Sequence, residues 1–343
     1  MRKYIDVLVD LQFGSTGKGA LAGYLSEKNK YEAVISCNMP NAGHTAYDRG
    51  GNKWVHKVLP SGIFSPFLKY VMIGPGAVFS IDRLIQEWAA VCDSHRGLTL
   101  VIHEDAGILK PEHAEAERAQ LSGISSTMQG SAAALVDKLM RKEGATARYY
   151  SEEITRKARS FGMAHVITST EWVTAVAGMH SILAEGSQGY SLGLNAGFYP
   201  YCTSRDCTSA RVLSDCSLPL SAVNDVYGSC RTYPIRVGNT ADGNSGGWYD
   251  DQDETSWEAL GVIPETTTVT GRVRRVATFS MKQIREAMLM SCPTKVFLNF
   301  CNYNGELASD IQEGINSIGK EIGSGIVAYK GWGPSPEDIE EVL

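Results

Sequence analysis

The chain has 343 residues, 43% of them hydrophobic, and a formal net charge of −6. That length and apolar content supply a large core in one or two domains, and the negative balance excludes a general nucleic-acid or membrane surface from the expectation. No apolar run nears the roughly 18 residues of a membrane helix, Asp6 and Asp10 interrupt the first apolar stretch and so argue against a signal peptide, and eight cysteines without a C-x-x-C pair read as free thiols in a reducing cytoplasm rather than zinc ligands.

In chain order, Tyr4–Leu11 is apolar and β-branched enough for a buried strand, and a helix begins at Ala20. Ala33–Cys37 is the next strand, so the chain opens β-α-β and predicts a parallel sheet. Val55–Leu59 and Val71–Ile73 read as strands. Ser80 caps a helix from Ile81 to about Val91, and Leu98–His103 is another strand. The charged stretch from Lys110 to Gln120 reads as a solvated helix. A Ser/Thr-rich segment, Gly123 to Gly130, precedes a helix over Ala132–Arg141. Ile182–Ala184 is a buried strand. Ala222–Tyr227 and Thr232–Val237 read as strands around a turn, Asp242–Glu258 as a surface excursion, Val296–Asn299 as a late strand and Gly325–Tyr329 as the last. No repeat or linker divides the chain, which predicts one α/β domain over residues 1–343 with loop insertions.

The chemistry concentrates first in Gln12-Phe13-Gly14-Ser15-Thr16-Gly17-Lys18-Gly19-Ala20, between the first strand and its helix. Glycines let backbone N–H groups approach a phosphate, a helix N-terminus favours negative charge, and Lys18 adds a cation. The spacing is not that of a Walker A loop, so the segment alone fits either an anion site or a tight strand–helix turn. A second segment, Asn41-Ala42-Gly43-His44-Thr45, follows the second strand and offers an imidazole suited to proton donation near neutral pH. Ser125-Ser126-Thr127-Met128-Gln129-Gly130 fits a turn or a hydroxyl-rich anion loop. Arg141 fits a solvated helix end or a phosphate ligand. In Thr268-Val269-Thr270-Gly271-Arg272-Val273-Arg274-Arg275, Arg272 and Arg274 fall on one face if the backbone is extended, which suits a dianionic amino acid or a nucleotide.

The glycine loop followed by Asn41–Thr45 resembles the adenylosuccinate synthetases, whose loop reads Q-W-G-D-E-G-K-G. Glu185-Gly186-Ser187-Gln188-Gly189 is similar to that family's E-G-A-Q-G, Tyr199–Ser204 to its Y-P-Y-V-T-S, and Thr270-Gly271-Arg272-Val273-Arg274 to its T-G-R-R-R. The resemblance spans Gln12 to about Pro334. It implies a mostly parallel central sheet with flanking helices, a P-loop-like fold and a ligase reaction. It further implies that Gly14 to Ala20, Gly43, His44, Thr45, Arg274, Asn299 and Cys301 bind the nucleotide donor. Ser15, Asn41, Ala42, Ser126, Thr127, Gln188, Thr203 and Arg272 would bind the purine monophosphate, with Arg141 reaching in from the partner of a homodimer. Thr268, Val269, Thr270, Gly271, Arg272 and Arg274 would bind L-aspartate, Ser15 and the Gly43 carbonyl would help hold Mg²⁺, and Ser15, Lys18 and His44 would carry the catalysis.

Two departures are informative. Ser15 stands where the family has its catalytic aspartate, which is similar to the phage branch that ligates aspartate to dGMP, the N6-succino-2-amino-2′-deoxyadenylate synthases. A serine leaves room for a 2-amino group beside N1, and leaves the N1 proton to a water, a phosphate oxygen or the aspartate substrate. Asn299-Phe300-Cys301-Asn302 stands where the family has T-K-L-D, and Cys301, taken at the guanine-reading carboxylate, cannot accept two hydrogen bonds, so ATP or dATP is expected in place of GTP. Two other readings remain: an ordinary adenylosuccinate synthetase acting on IMP, and a non-catalytic nucleotide sensor.

Overall fold

The computed structural model describes residues 3–241, 243–267 and 271–343. Its centre is a ten-stranded sheet. In chain order the strands are β1 (Tyr4–Asp10), β2 (Ala33–Ser36), β3 (Tyr70–Ile73), β4 (Thr99–His103), β5 (Met163–Ile167), β6 (Ser181–Glu185), β7 (Val223–Arg231), β8 (Lys295–Asn299), β9 (Ile326–Gly331) and β10 (Ile339–Glu341). Their spatial order is β10-β9-β8-β7-β1-β6-β2-β3-β4-β5. Every pairing is parallel except β9 with β10. The expected α/β fold with a mostly parallel sheet is therefore present.

A parallel sheet with helices on both faces must bury both sides of its strands, and β1 shows this residue by residue. Leu8 packs with Leu21, Leu25 and Trp88 on one face. Val7 and Val9 pack with Trp172 and Ile284 on the other. The register of β1 against β6 (Leu8 opposite Glu185) and β7 (Asp10 opposite Ser229) brings their carboxyl ends level. Loops following β1, β2, β6, β7 and β8 thus open on one edge, where ligands bind in open α/β sheets.

Several expectations need correcting. Ala222–Tyr227 and Thr232–Val237 do not flank a turn in one hairpin: β7 runs unbroken to Arg231, and Ile235–Arg236 joins a separate three-stranded sheet with Glu254–Thr255 and Arg275–Ala277. That small sheet buries Trp257 and Ile235, so 243–258 is not a bare surface excursion. Asp242 lies outside the described residues. The strand expected at Val55–Leu59 is Lys53–His56, and its antiparallel partner is His44–Tyr47, which makes His44 a strand residue. The chain does not end its sheet at β9, since β10 turns back along it. Helix Pro111–Gln120 is solvated on most sides but buries Glu117 and His113. No helix among the described residues is long and apolar enough to cross a membrane.

Candidate active site

Asp10, the last residue of β1, is fully buried and its carboxylate shapes the glycine loop. It accepts hydrogen bonds from the Gln12 and Gly14 amides at 2.9 and 3.1 Å and from the Thr16 hydroxyl at 2.5 Å. Lys18 Nζ donates to it at 3.1 Å and to the Gln188 carbonyl at 2.9 Å. A buried carboxylate needs this many partners, and here satisfying it curls the loop. Gly14 and Gly17 then adopt φ of +89° and +87°, and Gly17 caps helix α1 (Lys18–Lys28) in the left-handed region. A Cβ on Gly17 would lie 1.8 Å from Asn299 Nδ2, and one on Gly19 would lie 1.8 Å from the Thr45 carbonyl, so neither position admits a side chain without rearrangement. Ser15, at the apex with φ of +55°, is left exposed.

A cleft of about 670 Å³ opens over this loop. Every expected residue from Gly14 to Ala20 and from Asn41 to Thr45 lines it. So do Ser126, Thr127, Gln188, Thr203, Arg274 and Asn299. The amide of Gln188 donates to Asn41 Oδ1 at 3.1 Å, and Asn41 Nδ2 donates to Thr203 Oγ1 at 3.2 Å, which ties the ends of β2 and β6 and the Thr203 loop into one polar wall. Beneath that wall, Glu185 accepts from the Ser61 and Gly62 amides, both at 2.8 Å, and burial pushes its carboxyl up to about 7.

His44 has a buried Nε2 without a hydrogen-bond partner. Burial, then Lys18, His56 and Arg205, pull the imidazole down to about 3. As these groups stand, His44 is neutral at pH 7, so the expectation of a proton readily available near neutrality is corrected to that of a neutral N–H donor. Anionic phosphates in the cleft would act in the opposite direction and raise its basicity.

The hydroxyl loop is held from behind. Glu117 accepts from the Gly130 and Ala132 amides at 2.7 and 2.6 Å, so one face of that charged helix serves the site. Arg272 donates to the Gly238 carbonyl at 3.1 Å and to the Ser126 carbonyl at 3.3 Å. It therefore braces the loop and does not line the cleft beside Arg274. Val273 faces outward, and the two guanidinium groups take different partners, Arg274 donating to the Thr266 carbonyl at 3.2 Å. Gly271 does not line the cleft either, and Thr268, Val269 and Thr270 lie outside the described residues.

Two expected residues stand away from the cleft. Cys301 is fully buried and directs Sγ to the Leu298 carbonyl, because it begins a 3₁₀ turn whose first side chain faces the core. Its neighbour Asn302 lines the cleft instead, together with Phe300, Tyr303, Gly333 and Pro334. Arg141 is exposed at the end of helix Ser131–Leu139 and does not line this chain's own cleft. The sequence reading missed Asp10, Arg231, Glu265 and Arg236. Arg236 lines the cleft with its guanidinium 4.5 Å from the Phe13 ring centroid. No group of three His, Cys, Asp or Glu among the described residues could hold a metal ion, so a cation here would depend mainly on ligand oxygens; the two residues expected to help, Ser15 and Gly43, both line the cleft.

The model of the adenylosuccinate synthetase family matches residues 7–161 and 146–309. The chain belongs to the adenylosuccinate synthetase family. Within it, the chain is 49% identical to the N6-succino-2-amino-2′-deoxyadenylate synthase of Vibrio phage phiVC8, over 98% of each chain. Among solved structures it is similar to the succinoaminodeoxyadenylate synthetase of cyanophage S-2L bound to dGMP and to dATP as an energy donor, with a TM-score of 0.90 and 38% identity over 99% of this chain and 96% of that one. The fully ligated adenylosuccinate synthetase from Plasmodium falciparum shares the fold at a TM-score of 0.77 and 18% identity, covering 99% of this chain and all of that one.

Proposed function

We propose that this chain joins L-aspartate to C6 of dGMP at the expense of ATP or dATP, forming N6-succino-2-amino-2′-deoxyadenylate, the nucleoside diphosphate and phosphate. The observation that carries this reading is Ser15, a short, exposed hydroxyl at the apex of the glycine loop. A carboxylate there would crowd a 2-amino group, and a serine leaves it space. The 49% identical relative bears the name of this activity.

The reaction has two parts. Guanine O6 attacks the γ-phosphorus of the donor, the bond to the departing diphosphate breaks and the N1 proton is lost. The amine of aspartate then attacks C6, and phosphate leaves with the former O6. Phosphoryl transfer needs mainly positioned positive charge and donors. Lys18 supplies the charge and is preset by Asp10 and Gln188. Gly17 and Gly19, at the start of α1 and on the cleft wall, would offer their amides to the phosphates. The neutral His44 imidazole donates a hydrogen bond to an oxygen that becomes more negative in the transition state. Asn41, Gln188 and Thr203 orient the purine and its phosphate, and Arg274 receives an aspartate carboxylate. The Gly43 carbonyl and Ser15 would help hold Mg²⁺, which when bound supplies charge neutralisation at the phosphates. At the donor base, Asn302 presents both an N–H and a carbonyl. That pair complements an adenine edge and mismatches guanine, whose N1–H and 2-amino group both donate.

The test is the product. With dGMP, ATP, Mg²⁺ and aspartate, mass spectrometry is expected to find dGMP plus aspartate less one water. Finding nucleoside diphosphate and phosphate without that mass would contradict ligation.

A homodimer accompanies this reading. Val136, Leu139 and Met140 leave 53, 66 and 68% of their surfaces exposed on the helix that leads into Arg141. An apolar stripe of this kind suits a second copy of the chain, with Arg141 reaching the partner's monophosphate. Mixing Arg141→Ala with Lys18→Ala subunits is then expected to restore about a quarter of wild-type activity, the statistical share of intact sites in randomly paired dimers. No recovery in mixed dimers would contradict the shared site. The soluble cytoplasm, of a host cell if the chain is phage-encoded, is the compartment where these nucleotides are available.

A further inference from the structure

Arg231 ends β7 and its side chain is wholly buried. One guanidinium nitrogen donates to the Ser15 carbonyl at 3.0 Å and to Glu265 Oε2 at 3.1 Å, and the other donates to Glu265 Oε1. Its guanidinium carbon lies over the Phe300 ring, 3.7 Å from the centroid. Glu265 also accepts from the Tyr303 hydroxyl at 3.0 Å. Through its backbone, Glu265 closes the hairpin that carries the arginine loop, since the Arg274 amide donates to the Glu265 carbonyl at 2.8 Å.

A single rigid fork therefore touches the apex of the phosphate loop, the stem of the arginine hairpin and the strip that faces the donor base. Bidentate Arg–carboxylate geometry fixes orientation as well as distance, and separating such a pair leaves a buried charge without compensation. The three segments cannot shift independently while the pair holds. We infer that the Arg231–Glu265 pair is a positioning device that makes binding of the nucleotide donor and of aspartate mutually dependent. This rests on the proposed reaction, where it has a use: an activated 6-phosphoryl purine formed without aspartate in place would be lost to water, consuming donor.

Coupling between sites is reciprocal and ordinarily amounts to roughly 5- to 150-fold in affinity. The test is equilibrium binding of a non-hydrolysable ATP analogue, with dGMP and Mg²⁺ present, with and without saturating aspartate. The wild-type chain is expected to bind the analogue about fivefold or more tightly with aspartate. Glu265→Gln, which removes the charge and keeps the shape, is expected to bring that ratio close to one. Tyr303→Phe, which leaves the ion pair intact and is the safer variant for folding, is expected to lower it partway. Glu265→Asp, which restores the charge, is expected to recover part of the ratio that Glu265→Gln loses. A wild-type ratio of one, or ratios unchanged in folded Glu265→Gln or Tyr303→Phe, would overturn the inference. Failure of the wild-type chain to bind the analogue or dGMP at all would instead count against the proposed function.

Discussion

His44→Ala is expected to lower kcat by roughly 10²-fold or more, with a smaller change in KM for dGMP. The imidazole faces the cleft between the two phosphate-type loops, and its Nε2 is buried without a protein partner. No protein group competes for this nitrogen, so a ligand oxygen that local adjustment on binding brings to it takes the hydrogen bond, and the benefit is largest in the transition state, when that oxygen gains charge. The pH dependence discriminates between a neutral donor and an imidazolium. With the imidazole pulled down to about 3 from an ordinary 6.5, activity is expected to show no inflection from His44 between pH 6 and 8 in kcat/KM, which reports the free enzyme. For stability the sign follows from the same shift. The unfolded chain takes up this proton first as pH falls, so the His44 contribution is complete above about 6.5 and is lost on descending from 6.5 towards about 3. Stopped-flow phosphate release and a pH–rate profile check the first claim, and denaturation midpoints against pH check the second. Near-normal turnover in His44→Ala would remove the residue from the mechanism.

Lys18→Met is expected to cost on the order of 10²- to 10³-fold in kcat, the scale for deleting one preorganised electrostatic contact in such a site. Lys18 is held by Asp10 and the Gln188 carbonyl before any ligand arrives, so its charge needs no reorganisation. The same substitution carries a second expected result. Lys18 is one of the groups that hold His44 down, after burial itself. Removing its charge should move the His44 titration upward, measurable by NMR of the imidazole in the unliganded variant. A loss of activity with an unmoved His44 titration would break the electrostatic link between the two residues while leaving Lys18 its role at the phosphate.

The parts of the site legible in the sequence are those whose chemistry is local. Gly14, Gly17, Lys18 and Gly19 announce a phosphate loop because backbone freedom, charge and the following helix lie within a few residues of each other. Asp10 was legible only as an interruption of an apolar run, since its role depends on the loop folding back to deliver Gly14, Thr16 and Lys18 to it. Arg231 and Glu265 lie 34 residues apart, on a strand of the main sheet and at the base of a hairpin, and no spacing rule brings them together. The error at Cys301 was one of register. Set residue for residue against T-K-L-D, Asn302 and not Cys301 stands at the carboxylate, and the structure agrees, with Cys301 in the core and Asn302 lining the cleft. Alternation along the arginine segment puts Arg272 and Arg274 on one face but does not tell their partners apart: Arg272 braces the hydroxyl loop and Arg274 lines the cleft. In the fold, the β-α-β opening predicted the parallel sheet. The small sheet was missed because its strands are only two or three residues long and come from distant stretches.

The most direct test of the account compares acceptors. Phosphate release is measured with ATP, Mg²⁺ and L-aspartate, using dGMP in one arm and IMP in the other. Turnover is expected with dGMP and little or none with IMP, because Ser15 leaves room for the 2-amino group that distinguishes the two acceptors. Turnover with IMP and none with dGMP would contradict it and return the chain to ordinary adenylosuccinate synthesis.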